Sequence, residues 1–76
     1  MSNTGLTGRQ LEVLRLVAAG DSYEEVAKRL GISHWTVREH MDVVLRRLEV
    51  PNRTAAVVVA IRDGDIDPAS LSIRRR

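Results

Sequence analysis

Apolar positions along this chain recur at intervals of three and four residues, in four stretches separated by glycine, proline and small polar residues. That is the period of an α-helix with one buried side. The third stretch is the clearest: Val37, Met41, Val44, Leu45 and Leu48 form one stripe, while Trp35, Arg38, Glu39, Asp42, Arg46 and Glu49 run along the opposite side. Ser33 precedes it as an N-cap, so the spacing predicts a helix from His34 to Glu49, roughly 24 Å long. Just before it, Val26, Ala27 and Leu30 give a shorter helix one apolar face. Ser22 and Glu25 make a capping box that starts this helix at Tyr23. Gly31 stops it in a left-handed conformation that a Cβ would oppose, and Ile32 is expected to turn inward between the two helices.

The flanking stretches read as support. Thr7 and Gln10 make a second capping box, followed by Leu11, Val13, Leu14, Val17 and Ala18 on a broad apolar face that ends at Gly20. This helix is expected to pack across the central pair and set their angle, with the Thr7 hydroxyl assigned to capping. Residues 1–6 are expected to be a flexible lead-in. Val50-Pro51-Asn52 breaks the chain again, and a last helix is predicted from Arg53 to Asp63, with Gly64 past its end. Ala56, Val57, Ala60 and Ile61 give it one apolar face, and Ala55, Val58 and Val59 give it another that ends at Arg62. A helix apolar all round needs two burial partners. The core is one; a second copy of the chain is the most economical other. Asp67-Pro68 resembles a further helix start, and residues 67–76 read as a basic tail in which Leu71 and Ile73 either dock one turn or fray, ending in Arg74-Arg75-Arg76. The fold class is therefore all-α: a four-helix bundle over residues 7–66, with residues 1–6 and 67–76 outside it.

A short helix, a glycine turn and a longer helix with a polar outer face is the helix-turn-helix pattern. Charge sharpens that reading. The formal net charge is only +2, but residues 27–62 set Lys28, Arg29, Arg38, Arg46, Arg47, Arg53 and Arg62 against Glu39, Asp42 and Glu49. Positive charge concentrates on the central pair and the last helix, which suits a polyanion, although a solvated basic face gives the same count. Eleven of the twelve basic residues are arginine, whose planar fork matches phosphate and guanine.

Other classes find little support. There is no cysteine, hence neither a disulfide framework nor a thiolate metal site. The longest apolar run, Ala55 to Ile61, is far short of the roughly 20 residues of a membrane span. His34 and His40 lie about 240° apart around one helix, so they cannot share a metal. No nucleophile–base pair is legible; neither an enzyme nor a cofactor is expected, and a bacterial cytoplasmic (nucleoid) location fits a cysteine-free chain with no signal or span.

With those residues in hand, the chain resembles the DNA-binding domain of the LuxR/FixJ type, also called the GerE family. Four blocks carry the resemblance: Leu6-Thr7 with Glu12-Val13-Leu14; Val26-Ala27 with Leu30 and Ile32-Ser33; Thr36-Val37-Arg38 with His40; and Val50 with Asn52-Arg53, Ala56-Val57 and Ala60. The resemblance implies a third helix that reads double-stranded DNA in the major groove and a fourth that forms a two-fold homodimer. It places Thr36, Arg38 and His40 at the DNA surface and Arg38, Glu39 and Asp42 at base edges, with Arg47 on phosphate. Ser33, Trp35, Arg46 and Arg53 complete the expected DNA-binding set, and Ala55, Val58, Val59 and Arg62 the expected dimer interface. RNA polymerase or another regulator is a further candidate partner. The chain departs from the family pattern at Gln10, Trp35, Asp42 and Val43, all but the first of which bear on the target sequence. Most members carry an additional N-terminal receiver or ligand-binding domain, so the chain is expected to be a stand-alone regulator or a shortened one.

Other readings compete with or qualify this one. The stretch from Ser22 to Ser33 also resembles the promoter-reading region of bacterial sigma factors, to which the Val50–Ala60 block does not belong. A helix-turn-helix used as a protein-interaction module would explain Glu39 and Asp42 beside an exposed Trp35 and Val43. Trp35 itself is read as a wedge at the groove edge, a packing residue on the neighbouring helix, or an anchor for a partner protein. His40 is read as facing phosphate or as a satisfied structural hydrogen bonder.

Overall fold

Each of four polar side chains starts one helix. The computed structural model describes residues 5–70: α1 (Gly8–Ala18), α2 (Tyr23–Leu30), α3 (His34–Leu48), α4 (Arg53–Arg62) and a 3₁₀ turn, Pro68–Ser70. Both predicted capping boxes form. Thr7 Oγ1 accepts from Gln10 N at 3.2 Å while Gln10 Oε1 accepts from Thr7 N at 3.0 Å; Ser22 and Glu25 repeat the exchange at 3.1 and 2.8 Å. Ser33 Oγ accepts from Thr36 N at 3.0 Å and Asn52 Oδ1 from Ala55 N at 2.9 Å. These bonds occupy backbone donors that the first helical turn leaves open.

The helices also end alike. Asp21 N donates to Leu16 O, Ile32 N to Ala27 O, Val50 N to Leu45 O and Asp65 N to Ala60 O, each bond spanning five residues as in a Schellman motif. Such a close needs one residue with positive φ just before the donor. Three of the four are Gly20, Gly31 and Gly64; the other is Glu49, at φ 57°. Glu49 is therefore the left-handed cap of α3 and not its last helical residue. The predicted helix over-ran by one position because nothing in a glutamate announces a left-handed turn.

Three faces close on one line. Val37, Met41 and Val44 of α3 are at most 1% exposed, with α1, α2 and α4 all packed against that helix. Val13 and Leu14 of α1, Val26 of α2, and Ala56 and Ala60 of α4 are equally buried. As anticipated, α1 lies across the central pair, and it reaches α4 as well; Ile32 packs against the core.

The edges of the domain differ from expectation. Leu6, placed in the flexible lead-in, is only 7% exposed and belongs to the core. Arg47 Nη1 donates to the carbonyl of Gly5 at 2.9 Å, which fixes the backbone just ahead of that leucine. At the other end Ile66 is 1% exposed, and Asp67 Oδ1 accepts from Ala69 N at 3.0 Å at the start of the 3₁₀ turn. The readings of residues 1–4, Leu71, Ile73 and Arg74–Arg76 fall outside the described residues. Between α1 and α2, the buried carboxylate of Asp21 takes the Nε of Arg29 at 2.7 Å, so one of the cations counted above is already matched.

Replacing Glu49 by glycine removes a left-handed strain of about 1–2 kcal/mol, offset in part by glycine's extra freedom in the unfolded chain. It also removes a negative charge from a helix C-terminus. Glu49→Gly is expected to stabilise the domain by about 1 kcal/mol, raising the thermal midpoint by about 4–8 °C in calorimetry. An unchanged or lower midpoint would show that the Glu49 side chain contributes something that offsets its backbone.

Candidate nucleic-acid interface

Burying the inner line of α3 leaves its outer line in solvent. Trp35, Arg38, Glu39, Asp42 and Arg46 are all exposed, Trp35 to 66%. That exposure removes one of its three readings, packing on the neighbouring helix. Thr36 and His40 flank the line half-buried. The His40 side chain makes no hydrogen bond among the described residues. It borders a shallow groove with Glu39, Asp42, Val43 and Arg46.

The charges on this line cancel: Arg38 and Arg46 stand against Glu39 and Asp42. Arg38–Asp42 and Asp42–Arg46 are both four residues apart, a spacing that favours ion pairs. Neither pair closes, and none of the four has a hydrogen-bond or ion-pair partner among the described residues. The hydroxyl of Ser33 is committed elsewhere. It caps α3 and lies 2.9 Å from the Thr36 hydroxyl.

The flanking arginines separate. Arg46 stays on the outer line, Arg47 turns to the Gly5 carbonyl, and Arg53 lies at the first position of α4 with its guanidinium 4.9 Å from the centre of the Tyr23 ring. Tyr23 in turn meets His34, ring centroids 6.2 Å apart at 58°. The first residues of α2, α3 and α4 thus converge on one groove, lined by Ser22, Tyr23, Glu24, His34 and Arg53. A cation at a helix N-terminus is disfavoured by the helix dipole; the face of an aromatic ring offsets this. Tyr23 and His34 were missing from the expected site, since no local spacing reveals that three helix starts meet.

On α4, Ala56 and Ala60 are buried and Val57 and Ile61 pack against the core, whereas Val58 is 59% exposed. Ala55 and Val59 are half-buried without joining the core cluster, and Arg62 is exposed. A third groove, bordered by Val57, Val58, Thr54 and Val17, runs between α4 and the end of α1. Among the described residues no group of three His, Cys, Asp or Glu side chains could hold a metal ion, and no helix is long and apolar enough to cross a membrane.

A sequence profile of bacterial regulatory proteins, luxR family, matches residues 4–60. The chain belongs to the LuxR family. The match runs through the Val50–Ala60 block, which separates the LuxR type from sigma factors. The four helices and the α2–Gly31–α3 turn agree with the LuxR helix-turn-helix domain. Among similar proteins, the putative HTH-type transcriptional regulator YhjB of Escherichia coli is 46% identical over 54 residues, 71% of this chain and 27% of that protein. The transcriptional regulatory protein DesR of Bacillus subtilis is 46% identical over 52 residues, 68% of this chain and 26% of its own length. The response regulator protein VraR of Staphylococcus aureus is 42% identical over 57 residues, covering 75% and 27%. The LuxR domain here thus spans about a quarter of these relatives.

The whole outer line depends on how α3 begins. Ser33→Ala is expected to lower stability by about 1 kcal/mol, read as a fall of about 4–8 °C in the thermal midpoint, and Ser33→Asn should restore most of it because asparagine caps equally well. If the alanine variant melts like the parent, the cap is not what fixes the start of α3.

Proposed function

We propose that this domain is the DNA-reading part of a transcriptional regulator, with the outer line of α3 in the major groove and α4 pairing two copies. One observation carries the reading: the inner side of α3 is sealed in the core while its outer side presents Trp35, Arg38, Glu39, Asp42 and Arg46 with no partner among the described residues. The family membership supports the same assignment. Arg38, near the start of α3, has the fork for guanine O6 and N7. Arg46 and Arg53 meet phosphate and carry affinity without sequence information. Thr36 and His40 lie beside the DNA backbone, while Ser33 caps α3 and Arg47 holds the Gly5 carbonyl. Across two copies, Val58 with Ala55, Val59 and Arg62 supplies the interface. Burying an exposed valine contributes about 1.5 kcal/mol or more. With a longest dimension of 28 Å, each copy covers about one turn of DNA, so half-sites about 34 Å apart suit a pair.

Three measurements test this. In an electrophoretic shift titrated with salt, four phosphates neutralised by Arg46 and Arg53 of two copies should give a slope of log K against log salt near −4. Arg38→Ala should weaken a selected site by about 1–3 kcal/mol while leaving random DNA nearly unchanged. A slope near zero on every duplex would remove DNA from the account and favour the protein-interaction reading that the exposed Trp35 also fits. For α4, Val58→Asp should abolish cooperative binding to paired half-sites and spare binding to one. Undiminished cooperativity would place the pairing surface elsewhere.

A further inference from the structure

We infer that Glu39 and Asp42 are specificity-determining residues that select cytosine in the half-site and hold down binding to every other sequence. The inference rests on the proposal that α3 reads DNA, and deepens it. A face that meets a polyanion gains nothing from carboxylates by charge alone. Glu39 and Asp42 offset the charges of Arg38 and Arg46, so the line carries no net charge, and counterion release comes from its far end at Arg46 and from Arg53 beyond it. That offset is not made by direct pairing. Arg38, Asp42 and Arg46 succeed one another at four-residue steps, yet no ion pair forms among them in the described residues. Both acids are exposed and three residues apart, on one side of α3 and on one groove with Val43 and His40.

In the major groove a carboxylate finds two amino donors, cytosine N4 and adenine N6. They are not equivalent. Adenine carries the N7 acceptor beside its amino group, and a carboxylate, which only accepts, sets its second oxygen against that lone pair. Cytosine presents its amino group with no acceptor on the same base edge. Two carboxylates therefore favour cytosine, and the guanine paired with it offers O6 and N7 to Arg38, one residue before Glu39. A G·C-containing core of the half-site uses both signs of charge. On any other sequence the carboxylates face carbonyls and phosphates within the screening distance of about 8 Å, so they repel.

Amides discriminate between this and mere repulsion, because asparagine and glutamine donate as well as accept and pair bidentately with adenine. Sites are selected from random duplex DNA with the parent 76-residue chain and with Glu39→Gln/Asp42→Asn. Affinities for the selected and for random duplexes are then measured by fluorescence anisotropy, with circular dichroism confirming equal helix content. The parent should prefer cytosine over adenine by about tenfold at two positions of the half-site, within the range a single good base contact provides. The double variant should prefer adenine there and bind random DNA roughly tenfold more tightly. Glu39→Ala/Asp42→Ala should lose the cytosine preference, gain none for adenine and also tighten on random DNA. If the variants tighten on all sequences while keeping the parent's preferred site, the carboxylates only repel and the inference is overturned. It is equally overturned if the parent selects sites without cytosine at these positions. If the parent binds no duplex in a salt-dependent way, the DNA-reading proposal fails as well, an outcome distinct from the other two.

Discussion

The burial of Val37, Met41 and Val44 against three other helices is the constraint from which the rest follows. Without phenylalanine or a disulfide, a chain this short has one thin aliphatic core, and α3 runs through its middle. Because that line is sealed on its inner side, the helix cannot rotate about its own axis without exposing a valine or a methionine. The outer line is consequently presented in one orientation, as five exposed side chains with no hydrogen-bond or ion-pair partner among the described residues. Rigidity of the scaffold and freedom of the outer side chains are the same fact seen from two sides.

The ordering of charge follows a similar division. Cations that support the fold are matched, Arg29 on the buried Asp21 and Arg47 on the Gly5 carbonyl, while Arg53 rests over the Tyr23 ring and stays exposed. Arg38 and Arg46 are not. A count of basic residues therefore overstates what is available to a polyanion, and a formal charge map alone would have put Arg29 and Arg38 in one class.

What was legible in the chain was whatever depends on neighbours within one helical turn. The four caps, the glycine stops and the stripes of α2 and α3 are of this kind, since a hydroxyl three residues ahead of an amide, or a valine four residues from a methionine, is written in the spacing. The outer line of α3 followed from the same periodicity. The left-handed Glu49 was not legible, because the turn is imposed by the Val50 N–H reaching Leu45 and not by any preference of glutamate. Nor were the contacts made across the fold. Leu6 looked like tail because one leucine has no period, and the meeting of Tyr23, His34 and Arg53 exists only after three helices have been placed. The sequence pattern of α4 showed two apolar sides, and its packing agrees: Val57 and Ile61 join the core cluster while Ala55, Val58 and Val59 do not.

The bond from Arg47 to the Gly5 carbonyl ties the place where the chain joins the domain to the far half of α3. Leu6, one residue on, is part of the core that α3 organises. Displacing the backbone at Gly5 would therefore break a bond to an arginine of α3 and disturb a buried leucine together. The dependence runs both ways, since linked equilibria are reciprocal. The Arg47 guanidinium is thus shared between the helix that carries it and the backbone that leads into Leu6.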